Sequence, residues 1–79
     1  MAQKIKQDIS IGSNLQRLRK NTGLSQEKVA AELQLMGLDI SREILSQMEL
    51  GHYNVRVSIL KALKDLYNVE SYDEFFRNV

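Results

Sequence analysis

The segment between Ser41 and Leu50 carries side chains that can read the edges of nucleic-acid bases. Arginine pairs with guanine O6 and N7, glutamine with adenine, and glutamate accepts a hydrogen bond from cytosine N4. At about 100° per residue on a helix, Leu45 and Met48 lie on one arc and the polar side chains on the other or beside it. These polar residues are Arg42, Glu43, Ser46 and Gln47. An ordinary solvated helix face has the same composition. This segment alone therefore allows either a base-reading face or a plain solvated surface.

Gln26 follows Ser25, a good helix-capping residue, and would be the first residue of the preceding helix. The free backbone N–H groups and the positive dipole at a helix N-terminus bind phosphate. A glutamine at this position can add a side-chain hydrogen bond to the same phosphate. The alternative is an ordinary first-turn residue with no ligand.

Two helices joined by a short connection carry these groups. Leu24 and Val29 flank the Ser25 cap as a hydrophobic staple, and Gly37 is a natural helix terminator. The inward stripe of this helix is predicted to be Val29, Leu33 and Met36. Ser41 opens the next helix with Ile40 and Leu45 at the staple positions, and Gly51 ends it. The pair predicts a helix-turn-helix, a weak signal by itself because many helical bundles contain one.

Three further helices complete an all-α fold of five short helices. The first, with Ile11, Leu15 and Leu18 on one stripe, ends before Gly23. The fourth starts at Asn54 or Ser58 and carries Ile59, Leu60, Leu63 and Tyr67 inward. A capping box, Ser71 with Glu74, opens a short fifth helix with Tyr72, Phe75 and Phe76.

Length and composition limit the class of protein. A chain of 79 residues without cysteine is one small domain with a thin core, and neither disulfides nor thiolate metal sites can supplement it. We expect an N-terminal arm over residues 1–8 and a single domain over residues 9–79. The apolar runs fall short of the about 20 residues of a membrane span, and a signal core is missing, which predicts a cytoplasmic protein.

The distribution of charge along the chain favours a polyanionic partner more than the net charge does. The net charge is only +1, but residues 1–28 carry six basic and two acidic side chains, against five and eight in residues 29–79. Local potential steers charged partners, although solvated helix faces have similar patterns. Catalysis has little support, because His52 is the only histidine and phosphate-loop and dinucleotide-binding fingerprints are missing. We expect no enzyme, cofactor, metal or small-molecule ligand.

These segments together resemble the XRE-type family of lambda-repressor-like helix-turn-helix domains. "IGSNLQRLRKNTGLSQEKVAAEL" looks like the first two helices of that family, with its typical "LSQEKVA" opening. "ISREILSQMELG" resembles the recognition helix, and "LYNVESYDEFF" resembles the end of the fold. The similarity covers roughly residues 9–76, and its motifs are specific only in combination.

The resemblance implies a compact five-helix, lambda-repressor-like regulator of bacterial or phage origin. Its third helix would enter the major groove of double-stranded DNA, usually as a homodimer on a near-palindromic operator. Carried over by position, the base-reading residues are Arg42, Glu43, Ser46 and Gln47. The phosphate-binding residues are Gln26, Ser41, Tyr53, Asn54 and Arg56. Since the chain offers little room for an effector domain, we expect a repressor.

The resemblance also implies a structural ion pair between Arg19 and Glu49, and both lie at the inner edges of their helices. Three features depart from the family pattern. The connection "QLMGLDI" is longer than usual, which predicts about one extra turn on helix two. Ile44 and Leu50 replace smaller or polar residues, and either could contact a thymine methyl group or pack laterally. We predict packing for Ile44, and both possibilities stay open for Leu50.

A protein-interaction module is the competing interpretation. Four of the five aromatic residues lie between Tyr67 and Phe76, and some would remain on the surface of a thin-cored domain. Related domains often dimerise there, which makes Tyr72, Phe75 and Phe76 the predicted dimer surface. Antitoxins of toxin–antitoxin pairs use this same fold.

Overall fold

The computed structural model describes residues 4–5 and 10–79. The described part of the chain is mainly helical, with four α-helices, a C-terminal 3₁₀ helix and one pair of two-residue strands. In chain order these elements are β1 (Lys4–Ile5), α1 (Gly12–Thr22), α2 (Gln26–Leu35), α3 (Arg42–Glu49), β2 (Val55–Arg56), α4 (Val57–Leu66) and the 3₁₀ helix (Tyr72–Phe76). Among the described residues, every helix is too short or too polar to cross a bilayer.

One short strand pair accompanies the helices of the predicted all-α fold. Lys4 is opposite Arg56 and Ile5 opposite Val55 in an antiparallel register. Part of the segment predicted as an arm therefore pairs with the connection before α4, while residues 1–3 and 6–8 of that segment lie outside the described residues. The pairing holds residues 55–56 extended, so α4 begins at Val57 rather than at Asn54 or Ser58.

The fifth predicted helix is a 3₁₀ helix, which leaves four α-helices among the described residues. Short 3₁₀ segments are common where a chain makes only one or two turns. The Ser71 hydroxyl accepts a hydrogen bond from Asp73 N at 3.1 Å, as a cap does. The Glu74 carboxylate faces Arg17 and Arg77 at 3.8 and 3.6 Å, so the predicted capping box is replaced by surface ion pairs.

The long connection between α2 and α3 begins with a Schellman motif. Gly37 is in the left-handed conformation (φ 82°), and its N–H donates to Gln34 O. The N–H of Leu38 donates to Leu33 O at 2.9 Å, which completes the motif and confirms Gly37 as the terminator. The helix thus continues only to Leu35, less than the predicted extra turn. The Gln34 side chain then donates to Ile40 O at 3.0 Å and braces the connection.

One apolar core lies between the helices. It contains the predicted stripes of α1 and α4, together with Val29, Leu33 and Leu45. Met36, predicted to face inward, is 48% exposed. The chain turns at Gly37 directly after it, and Ile40 enters the core with Leu38 packed against it.

Candidate nucleic-acid interface

Both helices of the central pair begin with the predicted serine caps. Ser25 Oγ accepts from Lys28 N at 3.0 Å, and Ser41 Oγ accepts from Ile44 N at 3.2 Å. Each cap satisfies one of the N–H groups that a helix start leaves without an intrahelical acceptor. These local bonds decide where α2 and α3 begin, and α3 packs against both α1 and α2.

The outer face of α3 is polar and largely exposed. Of the predicted base-reading residues, Arg42, Glu43 and Gln47 are exposed and Ser46 is half-buried. Arg42 Nη2 lies 3.7 Å from Glu43 Oε1. An exposed ion pair of this kind contributes little, so the guanidinium can exchange the carboxylate for another acceptor at low cost.

The inner edge of α3 ends in a buried ion pair between Arg19 and Glu49, as predicted. Arg19 Nε donates to Glu49 Oε2 at 2.7 Å and Arg19 Nη2 to Oε1 at 3.1 Å. The third guanidinium nitrogen, Nη1, donates to Leu24 O at 2.9 Å, just before α2. The hydrogen bond to Glu49 raises the pKa of Arg19 above its ordinary value. The pair joins α1 to the end of α3 and to the start of α2.

Gln26, predicted to bind phosphate, also contacts this ion pair. Its Nε2 donates to Glu49 Oε1 at 2.9 Å, and the residue is half-buried. An amide nitrogen carries two protons, so one N–H remains beyond the bond to Glu49. The contact joins residues 23 positions apart, and nothing in the local sequence predicts it.

The remaining predicted phosphate ligands lie at the ends of α3. Ser41 is half-buried, and its hydroxyl proton remains available because the oxygen serves as the cap acceptor. Tyr53, Asn54 and Arg56 are exposed in the connection to α4, and all three line a cavity of about 180 Å³. Ile44 lines the same cavity and packs against the core, as predicted. Leu50, left open by the sequence, is 59% exposed.

The structure therefore contains two capped helices whose second member turns a polar face outward. The family model for the helix-turn-helix domain matches residues 10–75. The chain belongs to the helix-turn-helix domain family. Neither a curated protein nor a solved structure matches it. Helix-turn-helix domains bind DNA, so membership indicates DNA binding.

Two residues that hold α1 against its neighbouring segments were not predicted. An added Cβ on Gly12, at the start of α1, would overlap the Glu49 carbonyl oxygen and lie 2.8 Å from Gly51 N. Only glycine allows α1 to approach the end of α3 this closely. The one available signal in the sequence was the glycine itself, a residue that weakens helices, in the first turn of α1.

Asn14 is the second such residue. It is buried, and its Nδ2 donates to Phe75 O at 3.0 Å and to Arg77 O at 2.8 Å. These bonds satisfy two carbonyl groups of the chain end and attach it to α1. The signal in the sequence was a polar residue three positions after Ile11, on the apolar stripe of the helix.

Tyr67 brings a further polar group into the core of the helix-turn-helix domain. Its hydroxyl is buried and has no hydrogen-bond partner among the described residues. Burial raises the pKa of Tyr67, and the negative charge of Glu49 raises it further. The neutral form is therefore strongly favoured in the folded state.

The predicted dimer surface needs one correction. Phe75 is fully buried, whereas Tyr72 and Phe76 are each 42% exposed. Residues three apart are eclipsed in a 3₁₀ helix, and the Tyr72 and Phe75 rings lie 6.3 Å apart. Tyr72 also contacts Lys64, whose Nζ lies 5.5 Å from the centroid of the Tyr72 ring. Phe75 belongs to the core and is not available to a partner.

Proposed function

We propose that this helix-turn-helix domain is a sequence-specific transcriptional regulator, a repressor that blocks a promoter or operator by occupying it. The observation that carries the proposal is the exposed polar face of α3, with Arg42, Glu43 and Gln47 turned away from the core. These side chains match the donor and acceptor patterns of base edges in the major groove. Neither catalysis nor a cofactor enters this function.

Base and phosphate contacts have separate roles in the proposal. Arg42, Glu43, Ser46 and Gln47 read bases from α3, and Ser46 contributes less surface because it is half-buried. Contacts to phosphate set the register of the helix in the groove without reading sequence. They come from Gln26 and Ser41 at the two helix starts and from the exposed loop residues Tyr53, Asn54 and Arg56.

We further propose that the protein binds a near-palindromic operator as a homodimer. Two-fold symmetric helix-turn-helix dimers place their recognition helices about 34 Å apart, one turn of the duplex. Tyr72 and Phe76 are exposed on the 3₁₀ helix and supply apolar surface for a second copy. Sedimentation of the protein with and without the operator measures its oligomeric state. A strict monomer on DNA would contradict the predicted homodimer on a near-palindromic operator.

Selection from random duplexes at near-physiological salt tests the function. The wild-type domain is expected to enrich one motif. Arg42→Ala and Gln47→Ala are each expected to relax the motif at defined positions, with losses of about 1–3 kcal/mol in discrimination. Lys61→Ala, which removes a positive charge from the exposed side of α4, is the control and should leave the motif unchanged.

The outcomes of the selection separate the proposed roles. Uniform weakening on all sequences by Arg42→Ala would assign that residue to phosphate rather than to bases. Failure of the wild type to enrich any motif would contradict sequence-specific regulation.

A protein-interaction module, such as an antitoxin, is the second candidate. The exposed Tyr72 and Phe76 rings favour it, because they form apolar surface away from α3. A module of this kind without DNA binding would show no salt-dependent affinity for duplexes. Weaker binding of a purified partner by Tyr72→Ser and Phe76→Ser, with no DNA binding, would support this candidate over the regulator.

A further inference from the structure

The buried carboxylate of Glu49, at the end of α3, is hydrogen-bonded to Arg19 in α1 and to Gln26 in α2. The Glu49 side chain is 1% exposed at the end of α3. Its Oε1 accepts from both Arg19 Nη2 and Gln26 Nε2, at 3.1 and 2.9 Å. Gln26 thereby attaches the start of α2 to the end of α3, the helix that is proposed to read the bases.

The chemistry of the carboxylate determines how the Gln26 amide is oriented. An ionised carboxylate only accepts hydrogen bonds, so the amide must face Glu49 with its nitrogen and not with its oxygen. The second N–H of that nitrogen is then left for another acceptor. Arg19 compensates the charge of Glu49 through two hydrogen bonds, so an approaching phosphate does not meet an unbalanced negative charge.

We infer that Glu49 is a positioning residue for DNA binding. It holds the Gln26 amide with one N–H directed to itself and the other available to a phosphate oxygen at the start of α2. This inference rests on the proposed function. An unrestrained glutamine would lose its rotamer freedom on binding, and the bond to Glu49 removes that loss in advance. The same bond keeps the phosphate contact in register with α3.

A double-mutant cycle on the enriched duplex tests the inference. The proteins are wild type, Gln26→Ala, Glu49→Asp and the double variant. Aspartate keeps the negative charge opposite Arg19, but its side chain is one methylene shorter, which withdraws the carboxylate from Gln26. Gln26→Ala is expected to weaken binding about ten-fold in the wild-type background, and less than about two-fold beside Asp at position 49. Thermal unfolding of each protein sets an assay temperature at which all are folded.

Gln34→Ala is the matched control. Gln34 lies on the same helix, and its amide nitrogen also makes a hydrogen bond within the protein, to Ile40 O at 3.0 Å. Its removal deletes the same chemical group and is expected to leave DNA affinity unchanged. A loss equal to that of Gln26→Ala would mean that any braced glutamine of α2 gives the effect, and would overturn the inference.

A second measurement needs no Glu49 variant and decides the question if that variant does not fold. The two side-chain N–H signals of Gln26 are identified in a ¹H–¹⁵N spectrum by their loss in Gln26→Ala. Addition of the duplex is expected to shift one of the two proton resonances much more than the resonance of the proton bonded to Glu49. Equal shifts of the two proton resonances, or no shift of either, would overturn the inference.

The failures of the two proposals are distinguishable. If the wild type binds duplexes and Gln26→Ala costs the same in both backgrounds, the inference fails and the regulator proposal stands. If the wild type binds no duplex, both fail.

Discussion

Gly12→Ala is expected to weaken the packing of α1 against the end of α3. An alanine Cβ would lie 2.7 Å from the Glu49 carbonyl carbon and 2.8 Å from Gly51 N. These are backbone atoms at the C-terminal end of α3 and just beyond it. That end is closed by hydrogen bonds from Gly51 N to Met48 O and from His52 N to Gln47 O. The overlap therefore cannot be relieved by rotating a side chain, and one helix must move relative to the other.

The size of the effect follows from two opposing contributions. Overpacking a close contact costs about 1–3 kcal/mol. Alanine regains up to about 1 kcal/mol over glycine in a helix. At the middle of the overpacking range, the net loss is about 1–2 kcal/mol of unfolding free energy, against a total of about 4–12 kcal/mol for a domain of this size. For this chain length, each kcal/mol lowers Tm by about 4–8 °C.

Urea unfolding, followed by helical circular dichroism, measures the change. Ser13→Ala provides the control for helix preference, because Ser13 is the exposed neighbour in the same turn. Gly37→Ala provides a second comparison: its Cβ would meet nothing within 4 Å, but φ is +82°. That variant should lose about 1–2 kcal/mol from backbone conformation alone.

One result would contradict the close contact of Gly12 with the end of α3. If Gly12→Ala is as stable as the wild type, or more stable, while Gly37→Ala shows its expected loss, then α1 and α3 do not approach as closely as the structure has them. A loss for Gly12→Ala that Ser13→Ala shares would point to the helix start and not to the contact.

Two further predictions concern the buried polar groups. Glu49→Ala leaves the Arg19 guanidinium buried without its counter-charge and is expected to cost about 3–5 kcal/mol in urea unfolding; a loss below about 1 kcal/mol would contradict a buried pair. Tyr67→Phe removes a buried hydroxyl that has no partner among the described residues, and should leave stability unchanged or raise it by about 1 kcal/mol. Because burial raises the pKa of Tyr67 above its unfolded value, the wild type should lose stability as the pH rises above about 10, and the Phe variant should lose less. Unfolding free energies from about pH 8 to pH 11 measure the difference, and parallel curves would contradict it.

Features that depend on neighbouring residues could be predicted from the sequence. The serine caps of α2 and α3 involve residues three apart, and the stop at Gly37 involves residues five apart or fewer. Helical spacing likewise placed Leu45 and Met48 inward and Arg42, Glu43 and Gln47 outward. Local hydrogen bonds and helical periodicity are sufficient for these features.

Two local predictions were wrong, one because a distant segment intervened and the other because the last helical segment is short. The start of α4 is displaced to Val57 because Val55–Arg56 pair with Lys4–Ile5. The fifth helix is a 3₁₀ turn that buries Phe75 and leaves Tyr72 and Phe76 exposed. Only the Arg19–Glu49 pair, implied by the family resemblance and by its helical position, anticipated a contact between distant segments.

By itself, the sequence determined the capped helix pair and the polar face of α3, because those depend on bonds and periodicity within a few residues. Apart from the Arg19–Glu49 pair, the tertiary structure alone decided which polar groups meet. Gln26 reaches Glu49 across 23 positions, and Asn14 reaches Phe75 across 61. Gly12 lies against the end of α3 only after the helices have packed. Such contacts depend on the relative placement of whole helices, which is set by the shared core and not by any local pattern.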